Sequence, residues 1–357
     1  YYNQVKSLKS YENTTLKKLS HNFLSYGTAS ITHLKRSLQK YDFKYNCTPI
    51  MGDGIRVAAP CKINLHLGVF DRRSDGYHPI ESIFQMLDLG DVLWIDSLKK
   101  RSGIEVHVEG PVPMDSSVPP EQNIVYKAVR LFQMERGDEK GWHIRLEKAI
   151  PLGAGLGGGS ADAAAVLLAL NQVSGTPFSD ADLEHLSAKL GSDVPFFIKG
   201  GTAYVTGRGE QISTVSAETP WAVLLVNPGL HSSTPEAFAL LDTVRSDTQI
   251  SAKPPFGKER LVQILQSHPK NWTFYNDFLE VFLQRGSPEV QRTYQAILSE
   301  LKDLGAEFVN LSGSGSTCFG VFSDLARAKK ALEVLKMHWS FVELCFPLAR
   351  RPNTVVE

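Results

Sequence analysis

Apolar residues over positions 55–70 alternate with polar and small ones, which predicts a long strand or a bent strand pair. The polar run Asp71-Arg72-Arg73-Ser74-Asp75-Gly76 ends it. Positions 92–96 and 104–108 read as two more strands, separated by a Lys/Arg/Ser/Gly turn. Over 123–134 the spacing changes to that of a helix, with Ile124, Ala128, Leu131 and Phe132 on one face. Pro119-Pro120 opens this helix and Gly137 stops it. A strand over 142–147 leads to a glycine-rich loop, followed by helices over 160–173 and 180–190 and a strand over 202–206. The second half changes rhythm. A strand over 222–227 meets Pro228-Gly229, and helical segments follow near 235–243, 258–267, 275–283 and 288–304. Strands at 306–311 and 317–322 flank a small-residue loop at 312–316, and a helix over 324–337 and a strand over 341–346 close the pattern. Interleaved strands and helices with hairpin-like spacing predict an α+β fold rather than an all-parallel sheet.

Length and composition narrow the class. A chain of 357 residues with 42% hydrophobic content suggests about two globular domains. Its zero net charge hides an asymmetry: residues 1–50 carry eight Lys/Arg against Glu12 and Asp42, so the remainder is mildly acidic. That body offers no footprint for nucleic acid, and no apolar run reaches the length of a membrane span. Cys47, Cys61, Cys318 and Cys345 lack CxxC or Cys/His spacing, and the ten histidines form no HExxH or His-x-His cluster. Isolated reduced thiols and no protein-held metal site are therefore expected, as in a cytosolic or organellar interior. Residues 1–50 are basic and acid-poor, and Met51 follows them. They read as an expression or fusion segment, an overcalled start or a transit peptide, outside the chemistry in each case. A bacterial cytoplasm is expected, or a plastid if the segment is a transit peptide.

The most informative stretch is Pro151-Leu152-Gly153-Ala154-Gly155-Leu156-Gly157-Gly158-Gly159-Ser160, running into an Ala/Leu helix with Ser160 expected as its N-cap. Glycines can turn backbone N–H groups inward, and a helix start adds partial positive charge, so the combination is an anion cradle suited to nucleotide phosphates. Residues 153–158 satisfy GxGxxG, but a second helix follows where a dinucleotide fold needs a strand and a ribose-binding acid. No Gly-Lys-Ser/Thr ends the loop, and the VAIK, HRD and DFG segments of protein kinases are missing. A flexible glycine linker does not normally sit between a strand and a capped helix.

This loop resembles the ATP loop of the GHMP small-molecule kinases. Four further segments occur in that family's order: Ala59-Pro60-Cys61-Lys62-Ile63-Asn64-Leu65, Asp75-Gly76-Tyr77-His78, Gly191-Ser192-Asp193-Val194-Pro195-Phe196-Phe197, and Leu311-Ser312-Gly313-Ser314-Gly315-Ser316. Asn276-Asp277-Phe278 is a weaker fifth, and the similarity spans roughly 55–350. They narrow the resemblance to the branch that phosphorylates the 2-hydroxyl of 4-diphosphocytidyl-2-C-methyl-D-erythritol in the non-mevalonate isoprenoid pathway. The resemblance implies a two-domain fold with the active site in the interdomain cleft: an ATP-binding domain over 55–206 and a second domain over 207–350. It implies ATP and Mg²⁺ as cofactors, a small-molecule partner carrying a cytidine diphosphate, and a monomer or homodimer.

Phosphoryl transfer to an alcohol needs a phosphate cradle, charge neutralisation and a proton acceptor. Pro151, Gly153, Gly155, Leu156, Gly157, Gly158, Gly159 and Ser160 are the expected cradle, with Ser160 as helix cap, phosphate donor or Mg²⁺ ligand. By resemblance Asp193 is the general base and Lys62 the cation that steadies the alkoxide. Taken alone, Asp193 reads as a helix-terminal acid and Lys62 as a solvated strand lysine. Tyr77 offers a ring to stack on cytosine and His78 a hydrogen bond to the base edge, although Asp75-Gly76 alone reads as a turn. Asn64 is expected to orient the erythritol hydroxyls, and Phe238 to cover the second face of the cytosine. Gly313 and Ser314 approach the substrate diphosphate, or close a hairpin. Adenine is expected on an apolar wall near Asn123-Ile124. Cys61 and Pro79 depart from the family pattern without removing a functional group. Three other functions compete. A sibling kinase acting on homoserine, mevalonate or a sugar lacks a use for Tyr77-His78. A non-catalytic nucleotide-binding module has no need of both Lys62 and Asp193. RNA binding would need aromatic patterns that do not occur.

Overall fold

The computed structural model describes residues 54–98, 102–110, 119–249, 251–352 and 355–356, so the expectations for residues 1–50 lie outside the described residues. The architecture is α+β, with two sheets. In the first, β1 (Ile55–Val69) pairs antiparallel along its length with β2 (Ile80–Ser97). β3 (Ile104–Glu109) and β4 (Trp142–Glu147) run parallel to each other and join through β4 to β2. β5 (Thr202–Thr206) pairs with the first part of β2, over Ser82–Gln85, and β6 (Gln211–Val215) with β5. The second sheet is antiparallel, built from β7 (Ala222–Asn227), β8 (Phe308–Leu311), β9 (Cys318–Phe322) and β10 (Phe341–Cys345) in the order β10-β7-β9-β8. The short β11 (Val355–Val356) edges the first sheet beside β1.

Three apolar clusters hold these layers. Helices α1 (Ile124–Arg136) and α2 (Gly158–Val173) cover the first sheet, with Val129, Phe132, Leu167 and Leu170 packed on Phe84, Leu93 and Ile144. Helices α3 (Asp180–Ser187) and α4 (Val194–Lys199) add Leu183 and Phe196 to the same core. Most of α2 is buried, which suits its Ala-rich composition: small side chains let a central helix approach its neighbours closely. On the second sheet, helices α5 (Thr234–Thr248), α7 (Asp277–Arg285), α8 (Pro288–Asp303) and α9 (Leu325–His338) bury Leu241, Phe278, Ile297 and Leu335 against Leu224 and Val226. The opposite face of that sheet, with Val223, Leu225 and Val321, meets Cys61, Ile63, Leu65 and Ile83 of the first, together with Leu261 of α6 (Lys258–Gln266). β7 is buried on both faces for this reason.

Two departures from the sequence reading bear on the site. Helix α2 starts two residues earlier than expected, and its N-cap is Gly157 in the left-handed region rather than Ser160, which lies inside the first turn. Only a glycine adopts φ +71° there without strain, so the loop's conformation overrides the serine's capping preference. β2 is also far longer than the expected strand over 92–96, and β6 was not expected. In β2 the polar residues Glu81, Ser82, Gln85 and Asp91 are buried, so no alternation marks it. The register between β1 and β2 breaks between Pro60 and Lys62. Ile55, Val57 and Ala59 lie in the helix-covered core, whereas Cys61, Ile63 and Leu65 lie between the sheets. That change of face frees Lys62 and Asn64 for the cleft.

Candidate active site

A cleft of about 1070 Å³ is lined by the glycine loop, β1, the loops before α4 and between β8 and β9, and the start of α5. All but one of the residues expected at the site line it: Lys62, Asn64, Tyr77, His78, Pro151, Gly153, Gly155, Leu156, Gly157, Gly158, Gly159, Ser160, Asp193, Phe238, Gly313 and Ser314. The exception is Asn123, whose side-chain Oδ1 caps α1 by accepting the Val125 N–H at 2.8 Å, while its neighbour Ile124 reaches the cleft.

The glycine loop is stitched to both sheets. Lys62 N–H of β1 donates to Leu156 O at 2.9 Å, and Thr317 N–H to Ala154 O at 3.2 Å. The Ser312 hydroxyl donates to Gly155 O at 2.8 Å and accepts the Asn64 N–H at 3.3 Å. A Cβ on Gly155 would stand 2.0 Å from Ser312 O, so the two small-residue loops touch backbone to backbone and need glycine at that contact. Asn276 locks the second loop from beneath, donating to Leu311 O and Gly313 O at 2.8 and 2.9 Å while its own oxygen caps α7. The 312–316 segment is thus both a β8–β9 turn and a wall of the cleft.

Lys62 and Asp193 come together. The Lys62 side chain is buried, donates to Asn64 Oδ1 at 2.6 Å, stands 3.5 Å from Asp193 Oδ2, and lies 4.5 Å from the Phe84 ring centre. Asn64 in turn donates to Ser82 Oγ at 3.0 Å, which orients its amide oxygen towards the ammonium. Asp193 is the residue before α4, but its carboxylate makes no cap bond and stays partly open to the cleft. An ammonium held against an aromatic face and an amide oxygen, with one carboxylate opposite, is equipped to stabilise an anion beside a proton acceptor.

At the other end, Tyr77 is 54% exposed and carries the Arg208 guanidinium 4.7 Å from its ring centre. His78 is buried and engaged at both nitrogens: Nδ1 with Phe70 O at 2.8 Å and Nε2 with the Asp242 carboxylate at 3.2 Å. Phe238 stacks on the His78 ring at 5.1 Å and lines the same cleft as Tyr77. Arg72, Arg208 and Glu210 in loops and Asp242 on α5 line the cleft as well and escaped the sequence reading, because a single charged side chain carries no periodic signal.

Beneath the loop lies a buried triad that sequence reasoning also missed. Lys148 Nζ bonds Asp91 Oδ2 at 2.5 Å and Asp162 Oδ2 at 2.8 Å, with all three side chains almost fully buried. Asp91 Oδ1 also accepts the N–H groups of Ala149 and Ile150, at 2.6 and 2.8 Å, fixing the entry to the glycine loop. Burial pushes the Asp162 carboxyl well above the ordinary range despite its lysine partner, and its second oxygen has no hydrogen-bond partner. Lys148 is held above its usual value because the two acids outweigh its own desolvation. The available signal was an aspartate set in an otherwise apolar helix. The thiols of Cys61 and Cys318 are buried and unpaired, and burial raises both above the ordinary thiol range.

The fold and the glycine loop define a class. Residues 123–201 match the model for the GHMP kinases N terminal domain and 270–340 that for the GHMP kinases C terminal, placing the chain among the GHMP kinases. A homoserine kinase from Cytophaga hutchinsonii shares the fold at 18% identity, with a TM-score of 0.60 over 87% of this chain and 100% of its own. A solved 4-(cytidine 5'-diphospho)-2C-methyl-D-erythritol kinase matches at 31% identity and a TM-score of 0.67, over 82% of this chain and 98% of that one. The 4-diphosphocytidyl-2-C-methyl-D-erythritol kinase of Pseudomonas syringae pv. syringae is 37% identical over 279 residues, 78% of this chain and 88% of the relative. That of Prochlorococcus marinus is 38% identical over 288 residues, again 78% and 88%. The chain belongs to the 4-diphosphocytidyl-2-C-methyl-D-erythritol kinase family.

Proposed function

We propose that this protein transfers the γ-phosphoryl group of ATP to the 2-hydroxyl of 4-diphosphocytidyl-2-C-methyl-D-erythritol, releasing ADP, in the non-mevalonate route to isoprenoid precursors. The observation that carries the reading is the Lys62–Asp193 pair at 3.5 Å inside the cleft that the glycine loop lines. Asp193 takes the proton of the hydroxyl as its oxygen attacks the γ-phosphorus and the bond to the ADP oxygen breaks. Lys62 stabilises the negative charge on the attacking oxygen, and Asn64, which holds the Lys62 ammonium at 2.6 Å, orients the erythritol hydroxyls. Residues 153–160, the loop and the first turn of α2, hold the triphosphate through backbone N–H groups. The cleft's oxygen donors on Ser160, Asp193 and Glu210 form the hard set that Mg²⁺ accepts alongside phosphates and water. When bound, the ion neutralises phosphate charge. Tyr77 gives the cytosine a stacking face, Phe238 covers its second face and His78 meets the base edge, and Gly313 and Ser314 approach the substrate diphosphate. Adenine lies along Ile124, with Asn123 shaping the start of that wall.

The test is release of ADP from Mg-ATP with this substrate and, in parallel, with homoserine, mevalonate and galactose. Turnover is expected with the cytidine-linked alcohol alone, and Asp193→Asn should lower it about 10²–10⁴-fold. Comparable kcat/KM on a sibling alcohol, or none on the cytidine-linked one, would refute the assignment.

A further inference from the structure

We propose that the outer face of the first sheet carries a site for a borderline divalent metal ion such as Zn²⁺, formed by Glu105, His107 and His143. One ligand atom from each lies within 4.8 Å of the others. The grouping arises from strand pairing. Glu105 and His107 are two apart on β3 and share a face, and the parallel register sets Glu105 opposite His143 of β4. The imidazole rings stand 5.2 Å apart at 53°. No spacing motif announces this set, because its third member is far away along the chain.

Three observations favour a metal ion over an idle polar face. None of the three side chains makes a hydrogen bond or ion pair with another described residue, so their donor atoms are unspent. The neighbouring cation Arg145 is engaged elsewhere, its guanidinium 4.0 Å over the Trp94 ring. Two imidazoles and one carboxylate form the donor set that zinc accepts with a fourth position left to water. Glu105 and His107 are exposed and His143 half-buried, so small rotamer changes can close the separation to bonding distance. Among the described residues β3 is an edge strand held through β4 alone, and an ion bridging the two would staple that edge. None of the three residues lines the kinase cleft, so the site is independent of the phosphoryl-transfer reading.

The test uses the full chain freed of metal by chelation. It is titrated with ZnCl₂ in a calorimeter and with Co²⁺ by visible absorption, beside a His107→Ala/His143→Ala variant and Glu105→Gln. The wild type should show one saturable site that the double variant lacks, and Glu105→Gln should weaken it at least about tenfold. Zn²⁺ should raise the melting temperature of the wild type only. The exposed positions of two ligands leave the variants folded, which their melting without metal checks. Equal Zn²⁺ binding by wild type and double variant, or no binding by either, would overturn the proposal.

Discussion

Replacing Lys148 by methionine tests how the glycine loop is held. The substitution removes the ammonium that lies 2.5 Å from Asp91 and 2.8 Å from Asp162 while keeping the length of the side chain. Two carboxylates, exposed by 0% and 3%, then face each other without a cation. Removing one partner of a buried ion pair costs about 3–5 kcal/mol, because the remaining charge keeps its desolvation penalty. In a domain of this size that corresponds to roughly 5–15 °C in Tm. The loss depends on pH with a definite sign. Asp162 already holds its proton more tightly than an unfolded aspartate does, and losing Lys148 strengthens that tendency. A carboxyl with a raised folded pKa stabilises the fold at low pH and loses that contribution as pH rises through the folded value. The destabilisation should therefore be greatest at neutral and alkaline pH and shrink on acidification. Adding Asp162→Asn should recover much of it by removing one buried charge. Since Asp91 also anchors Ala149 and Ile150, KM for ATP should rise more than kcat falls. Thermal melts of single and double variants at two pH values, with ATP kinetics, decide the matter. An unchanged Tm, or a double variant no more stable than the single, would show that the triad does not hold the loop.

Lys62→Met and Asp193→Asn should each lower kcat by orders of magnitude, and the double variant should lose less than the product of the two, because both groups act on one step; multiplicative losses would deny them a shared role. Tyr77→Ala should raise KM for the cytidine-linked substrate roughly ten- to hundredfold with KM for ATP unchanged, and Tyr77→Phe should be mild; equal rises in both constants would make Tyr77 structural. His66 lies buried among Phe256, Phe274 and Tyr275, and burial pulls its pKa down to about 3, helped by Lys253, with the Glu81 carboxylate at 4.0 Å too occupied by other donors to reverse this. A depressed pKa means stability present above the ordinary histidine value and lost as pH falls towards 3, at up to about 1.4 kcal/mol per pH unit. Urea melts from pH 7 to 5 should show this slope, and His66→Phe should flatten it.

The chain's own pattern determined most of the elements. Helical periodicity placed α1, α8 and α9 nearly to their ends, and glycine content followed by an Ala/Leu run located the glycine loop that lines the cleft, because these signals come from residues adjacent in sequence. Tertiary structure decided the rest. The 18-residue β2 was illegible because its buried polar residues satisfy the rule for buried groups through distant partners: Glu81 with Tyr204 and the 256–257 backbone, Gln85 with Thr202 and Leu348, Asp91 with Lys148. The N-cap of α2 moved from Ser160 to Gly157 because the loop must meet the Ser312 turn at backbone distance. The register break after Pro60 sets which residues of β1 face the cleft, and so whether Lys62 meets Asp193 at all. Local propensity is written residue by residue, whereas a strand's face and a buried group's partner are fixed only when separate segments pack together.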